Sequence, residues 1–480
     1  MAGIGFELRK IYDQGGVFKR ERAWTYAAFI YVGPLLMGMG LLVALIVISH
    51  LAGLRMADRD GILAIVSYAI LLSLFLSSSC SLLVTRRLSD FLYEEKLDRV
   101  LPSYFGSSLF LLGLSLPVLA LFLLWAGLSE RESLLFGLLV QILTLTWNAL
   151  SFLSAIRAYK GISSSYIWAF LGQILMASLI FLRQDRVFLL LAVLVAYLLL
   201  LINLTRLLLR QFPPSQGYDF TFLTGFDSYP ALGRIGLFLN LGLYSHIFLV
   251  WFSPISRSTL GHLRFAPSYD VAMMLAFLIS LIATVQFVIS LEVRFYPLFR
   301  KMLALFDQGG TYEQIHQSEQ EILLTLSEEM KYLAWKQVVG SLLYLFCGPI
   351  LFYALPLGFT PQLQGYFQVL CLAYAIYAIA NSFCLLLLFL GNYKDAQKAS
   401  GLFALSSSLL SLLFLGMDRT LYGFGFLIGA ITFLLFVIHY VNRHLSQLSY
   451  EILGKQSLFQ TKKKGTWTRL SYYLGGLNEE

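Results

Sequence analysis

The chain has 480 residues, 58% of them hydrophobic and only 13% charged, with a mean hydropathy of +0.73 and a formal net charge of +8. A soluble domain of this length needs far more charge to cover its surface, so a soluble globular fold is excluded. The basic residues sit in short connectors between apolar runs, which reads as membrane topology and contact with anionic headgroups, not as nucleic-acid binding.

The opening, MAGIGFELRK and the Ile11 that follows it, interrupts Ile4, Phe6, Leu8 and Ile11 with Glu7, Arg9 and Lys10. It is not an apolar signal core followed by a cleavage site, and residues 1–23 read as an amphipathic cytoplasmic segment. Apolar runs follow near 24–53, 61–85, 101–128, 133–156, 162–182 and 187–209. Each is roughly 20 residues or more, enough to cross a hydrocarbon core. Together they form an N-lobe, 24–209. Pro213, Pro214 and several turn formers mark a cytoplasmic linker at 210–230. A C-lobe, 231–443, has runs near 231–253, 271–292, 333–356, 366–390, 399–416 and 420–442, with a cytoplasmic loop at 293–332. In that loop Ile315, Ile322, Leu326 and Met330 alternate at helical spacing with Glu313, Glu319, Glu321, Glu328 and Glu329. This is either a solvated extension of the ninth span or a docking face for a cytosolic partner. The tail, 444–480, joins Lys462–Lys464 to Trp467, Tyr472 and Tyr473 and reads as a basic interfacial anchor.

With both termini in the cytoplasm, connectors on that side carry roughly 27 basic residues and those on the other side roughly 8, an asymmetry that fits the positive-inside rule and an even number of spans. Six spans in each set give two halves of the same orientation, as in several transporter folds. The four cysteines, Cys80, Cys347, Cys371 and Cys384, lie in or beside apolar runs without CxxC spacing and read as small packing residues.

Polar groups at membrane depth are costly, so those present are the candidates for function. In the fourth span Gln141, Thr144, Asn148 and Ser151 share a helical face. In the seventh, Asn240, Tyr244 and Trp251 line up, with Arg234 the exceptional cation near the start of that span. In the tenth, Tyr374, Tyr377 and Asn381 share a face. Such stripes either glue helices together or line a wet path, where aromatic faces stack on sugar rings and amides serve their hydroxyls. Asp270 and Glu292 bracket the eighth span. Glu292 either pairs with Arg294 or Arg300 at the interface or acts as an acid at the inner mouth. No HExxH, GxSxG, P-loop or His/Cys cluster occurs, so catalytic residues, cofactors and metals are not expected.

The opening decapeptide, WFSP at 251–254, PSYD at 267–270 and the E-x-x-F-Y pattern at 292–296 together resemble one family, the membrane transporter of Pel exopolysaccharide biosynthesis, PelG. The resemblance covers nearly the whole chain. It implies an all-α integral membrane protein with about twelve spans in two six-helix lobes around a central cavity, related to the multidrug, oligosaccharidyl-lipid and polysaccharide exporters. It also implies export of a galactosamine-rich, partly acetylated and therefore cationic polymer. The implied partners are a cytosolic glycosyltransferase and further Pel components of the inner membrane, one of them a cyclic di-GMP sensor. Three other readings compete. A cation-coupled multidrug exporter usually needs a carboxylate at membrane depth, and the first and seventh spans have none. A polytopic glycosyltransferase needs a cleft that the short outer loops around Asp58, Asp60, Glu130 and Glu132 do not provide. A non-conducting scaffold for a synthase is compatible with the sequence.

Overall fold

The computed structural model describes residues 19–156, 158–181, 185–353, 360–446 and 465–475. Helix α1, Lys19–Leu51, covers the first expected span. Five helices follow it, α2 (Met56–Tyr93), α3 (Val100–Ala126), α4 (Glu130–Ala155), α5 (Tyr159–Ala177) and α6 (Val187–Gln211). After the connector come α7 (Pro230–Trp251) and a two-residue hairpin pairing β1 (Arg257–Ser258) with β2 (Arg264–Phe265). The next long stretch is broken into α8 (Pro267–Phe277), α9 (Ser280–Ile289), a π-helical segment over Ser290–Phe295, and α10 (Tyr296–Asp307). The chain continues through α11 (Tyr312–Tyr353), α12 (Pro361–Phe389), α13 (Tyr393–Leu415), α14 (Phe424–Leu445) and α15 (Thr466–Gly475). Among the described residues, eleven helical stretches are long and apolar enough to cross a membrane, and Leu36–Leu51 of α1 is a shorter apolar stretch. The elements therefore match the expected spans in order.

Local chemistry fixes many of the ends. Ser129 and Glu132 form a reciprocal capping box at the start of α4, and Gly127 ends α3 in the left-handed conformation at φ 61°. Thr360 caps α12, and Pro361 opens it at a position where no backbone donor is needed.

The chain forms two compact units. The first spans Gly33–Asp270 and includes α15. Within it α2 packs against α4 and α7, and α6 against α4 and α5. Gly233 and Gly236 of α7 lie against the carbonyls of Ser79 and Ser78, leaving no room for a Cβ at Gly236. This small-residue contact brings α7 into one packed body with α2–α6. The second unit holds the described residues of Val271–Thr461 and the start of α1. There α14 packs on α13 through Gly425 and Gly429, set against Ser411 and Ser407. It also packs on α12 through aromatic rings.

Two segments read as connectors are ordered. The 210–230 linker is packed: Asp219 donates its N–H to the Pro102 carbonyl (3.0 Å), and Gly106 is the glycine that this approach requires. On it sits α15. Thr468 donates from its N–H and hydroxyl to the Asp227 carboxylate (both 2.7 Å), Ser471 donates to the Phe220 carbonyl (2.9 Å), and Trp467 stacks on Phe226 at 4.8 Å. Part of the tail is thus seated on protein; Lys462–Lys464 and residues 1–18 lie outside the described residues. The 293–332 loop is instead two packed helices, α10 and the first half of α11, joined at Gly309 with φ 73°. The apolar residues of the acidic stretch drive this, since Ile322, Leu326 and Met330 are buried while Glu313, Glu321 and Glu328 stay exposed.

Candidate functional site

The α4 stripe is tied to neighbouring helices. Asn148, which is buried, donates to Ser107 and Ser108 of α3 (both 2.9 Å). Gln141 accepts from Ser115 of α3 (2.8 Å), and Ser151 lies 2.9 Å from Ser81 of α2. Trp147, one residue before Asn148, donates to Ser73 of α2 (2.9 Å). Thr144 turns back to its own helix and donates to the Val140 carbonyl (2.8 Å). Gln141 Nε2 is the one atom of the stripe that is buried with no partner.

Two candidates from different elements meet at the C-terminal end of α7. The indole N–H of Trp251 donates to both carboxylate oxygens of Asp270 (3.0 Å each), and the Ala266 N–H donates to Asp270 as well (3.1 Å). Trp251 stacks on Tyr68 of α2, with ring centroids 4.2 Å apart. His246 and Tyr269 lie within hydrogen-bond distance beside them, at 2.8 Å. The short hairpin and the α8 start therefore close over a buried aromatic and acidic cluster. Tyr244 and Asn240 stand half-buried farther along α7, Tyr244 with its ring edge toward Phe75. Arg234 is exposed and donates to the Pro230 carbonyl of its own helix.

In the second unit Tyr374 is wholly buried, against Phe277 and Phe426, and Tyr377 packs among Phe403, Phe426 and Phe433. Asn381 is half-buried one turn on. The two tyrosines thus belong to an aromatic core where α12, α13 and α14 meet.

Glu292 lies within the π-helical segment, an uncommon winding that often marks functional positions. Arg294, one of the partners expected for it, also meets Glu329 of α11, at 3.8 Å. Glu329 also accepts from Ser290 (2.6 Å) and lines a small cavity with Ser290, Phe287, Phe295, Thr325 and Met330. Lys336 donates to Gln286 (3.2 Å) one turn away. Higher on α11, Gln337 and Tyr344 bond to the backbone of the broken span. This α9–α11 seam joins polar side chains of two helices of the second unit; Glu329 was read from the sequence only as part of the acidic stripe, and Gln337 and Tyr344 were not singled out. The signal was present: Gln337, Ser341 and Tyr344 recur at i, i+4 and i+7, the pattern that picked out the α4 stripe.

An all-α architecture with many helices long enough to cross a bilayer defines a class, the multi-pass membrane proteins. Solved structures agree in fold. The chain is similar to a eukaryotic MATE transporter (TM-score 0.56, 11% identity, covering 98% of this chain and 99% of that one). It is similar to an outward-facing multidrug resistance MATE transporter of the MOP superfamily (0.55, 11%, 92% and 98%). A MOP superfamily transporter from Pyrococcus furiosus is also similar (0.53, 12%, 92% and 98%). No curated protein matches the chain. Residues 1–453 match the PelG family, described as an exopolysaccharide exporter (EPS-E), and the chain belongs to this family.

Proposed function

We propose that this protein carries a nascent polysaccharide across the cell membrane, and that the polymer is of the Pel type: galactosamine-rich, partly acetylated, cationic and destined for a biofilm matrix. The observation that carries this reading is family membership over residues 1–453 on a transporter fold. The charge asymmetry of the connectors supports an inner- or plasma-membrane protein with both termini in the cytoplasm. A cytosolic glycosyltransferase feeds the polymer, and companion membrane components, including a cyclic di-GMP sensor, complete the assembly. The protein adds no covalent chemistry of its own. Gln141, Asn240, Tyr244, Glu292 and Asn381 remain the side chains proposed to meet the polymer. Asn148, Trp251, Asp270, Tyr374 and Tyr377 shape the helices that present them, and Arg234 stands at the start of α7. Acids such as Glu292 suit a cationic chain, whereas a buried Lys or Arg would repel it.

The test is extracellular hexosamine polymer from cells lacking the protein, with and without re-expression. Loss on deletion and recovery on re-expression is the expected result. Unchanged polymer would leave a small-molecule exporter of the same fold as the better reading. Glu292→Gln at normal protein level should lower export, and unaltered export would remove Glu292 from the path.

A further inference from the structure

The stretch Pro267–Asp307 is one span in length but not one helix. Around its first break the backbone bonds tighten to three-residue spacing: Leu278 N–H to Leu275 (3.2 Å), Ile279 to Ala276 (3.2 Å), Leu281 to Leu278 (3.2 Å) and Ile282 to Ile279 (3.4 Å). In a regular α-helix the Ala283 N–H would bond the Ile279 carbonyl four residues back. Here the side chain of Gln337 occupies that bond. Its Oε1 accepts from the Ala283 N–H at 2.9 Å and its Nε2 donates to the Ile279 carbonyl at 3.1 Å. Gln337 is fully buried, and its Nε2 lies 3.1 Å from Ser341, whose hydroxyl donates to the Gln337 carbonyl (2.6 Å). One turn farther along α11, the Tyr344 hydroxyl donates to the Leu275 carbonyl (2.7 Å). Gly340 lets α11 approach, since a Cβ there would run into the Ile282 side chain.

A side-chain amide is a copy of the peptide group, one acceptor and one donor in the same plane. Inserted between an N–H and its carbonyl, it holds the ladder open without leaving either group unpaired, which hydrocarbon surroundings would penalise heavily. When it withdraws, the two backbone groups meet each other and the helix closes. Both states pair these two backbone groups, which is what a switching element requires. The lower stitches, Ser290 to Glu329 and Lys336 to Gln286, keep α9 attached to α11 in either arrangement.

We propose that Gln337 is a positioning residue of the transport cycle: its amide splices the eighth span open at Ile279–Ala283, and withdrawal of the amide closes α8 and α9 into one straight helix. The functional half of this inference rests on the exporter reading above; the conformational half does not.

The experiment uses the full chain in lipid nanodiscs, with Cys347 replaced by Ser and spin labels on cysteines placed at Met273 and Leu303. A straight helix between them spans roughly 45 Å at 1.5 Å per residue, and the broken form is shorter. The expected result is two distances in the chain with Gln337, and the longer one alone in Gln337→Leu. The same variant, at normal protein level, should export at least tenfold less polymer. A single distance in the parent chain, or the same distribution in Gln337→Leu, overturns the proposal. If Gln337→Leu does not accumulate, the parent distribution decides alone, two distances supporting the splice and one rejecting it. If cells lacking the protein release normal polymer, the exporter reading falls, while the distance measurement still judges the splice.

Discussion

The polar stripes of α4 and α11 look alike in sequence and do opposite things. On α4, Asn148 and Gln141 meet serine side chains of α3 and hold two helices side by side. On α11, Gln337 and Tyr344 reach main-chain atoms of a broken helix and replace bonds which that helix does not make for itself. The first arrangement ties elements that are complete without it. The second makes one element depend on another, which is how a packed body acquires a joint. The difference lies not in residue type but in whether the facing helix has spare backbone groups.

Substitutions sharpen this contrast. The largest effect is expected at the close approach that builds the first unit: Gly236→Leu drives a side chain into the Ser78 carbonyl and should cost about 3 kcal/mol or prevent accumulation, read by thermal unfolding in detergent. Next, Asp270→Leu strips the acceptor from the Trp251 indole and the Ala266 N–H and should cost about 2 kcal/mol, while Asp270→Asn, which keeps an oxygen there, should cost less than half of that. Asn148→Leu and Tyr344→Phe should each cost about 1 kcal/mol in the same assay. They should part company in export: only Tyr344→Phe, which loosens the broken span, should lower polymer release beyond the loss explained by protein level. Equal export in the two would erase the distinction between glue and joint. The smallest effect belongs to Arg234→Gln, exposed and bonded only within its own helix, where stability should shift by less than about 0.5 kcal/mol.

Much of the architecture was legible because hydrocarbon imposes a simple grammar. Apolar length gave the spans in order, and Pro213 and Pro214 marked the connector between the two sets. The Ile322–Leu326–Met330 spacing foretold a helix where the charge alone said loop. The break inside the eighth span was not legible, because 275–283 is apolar but for Ser280 and carries neither proline nor glycine. Its cause sits on another helix, in Gln337, more than fifty residues away in sequence (58 from Ile279). The Trp251–Asp270 bond was half visible: both residues stood out as candidates, but only the fold of the short hairpin between them shows that they serve each other. Tyr374 and Tyr377 were read as a stripe beside an amide, and the second unit surrounds both with phenylalanines contributed by other helices. A one-helix view does not contain those neighbours.

The central claim, that the chain moves polymer and does not merely anchor its synthesis, is met most directly by protection in inside-out membrane vesicles. Vesicles carrying the synthase with or without this protein are given radiolabelled nucleotide sugar and then a polymer-degrading hexosaminidase from outside. Labelled polymer is expected to become resistant to the enzyme only when this protein is present. Polymer made in normal amount yet fully degraded in its presence would contradict it.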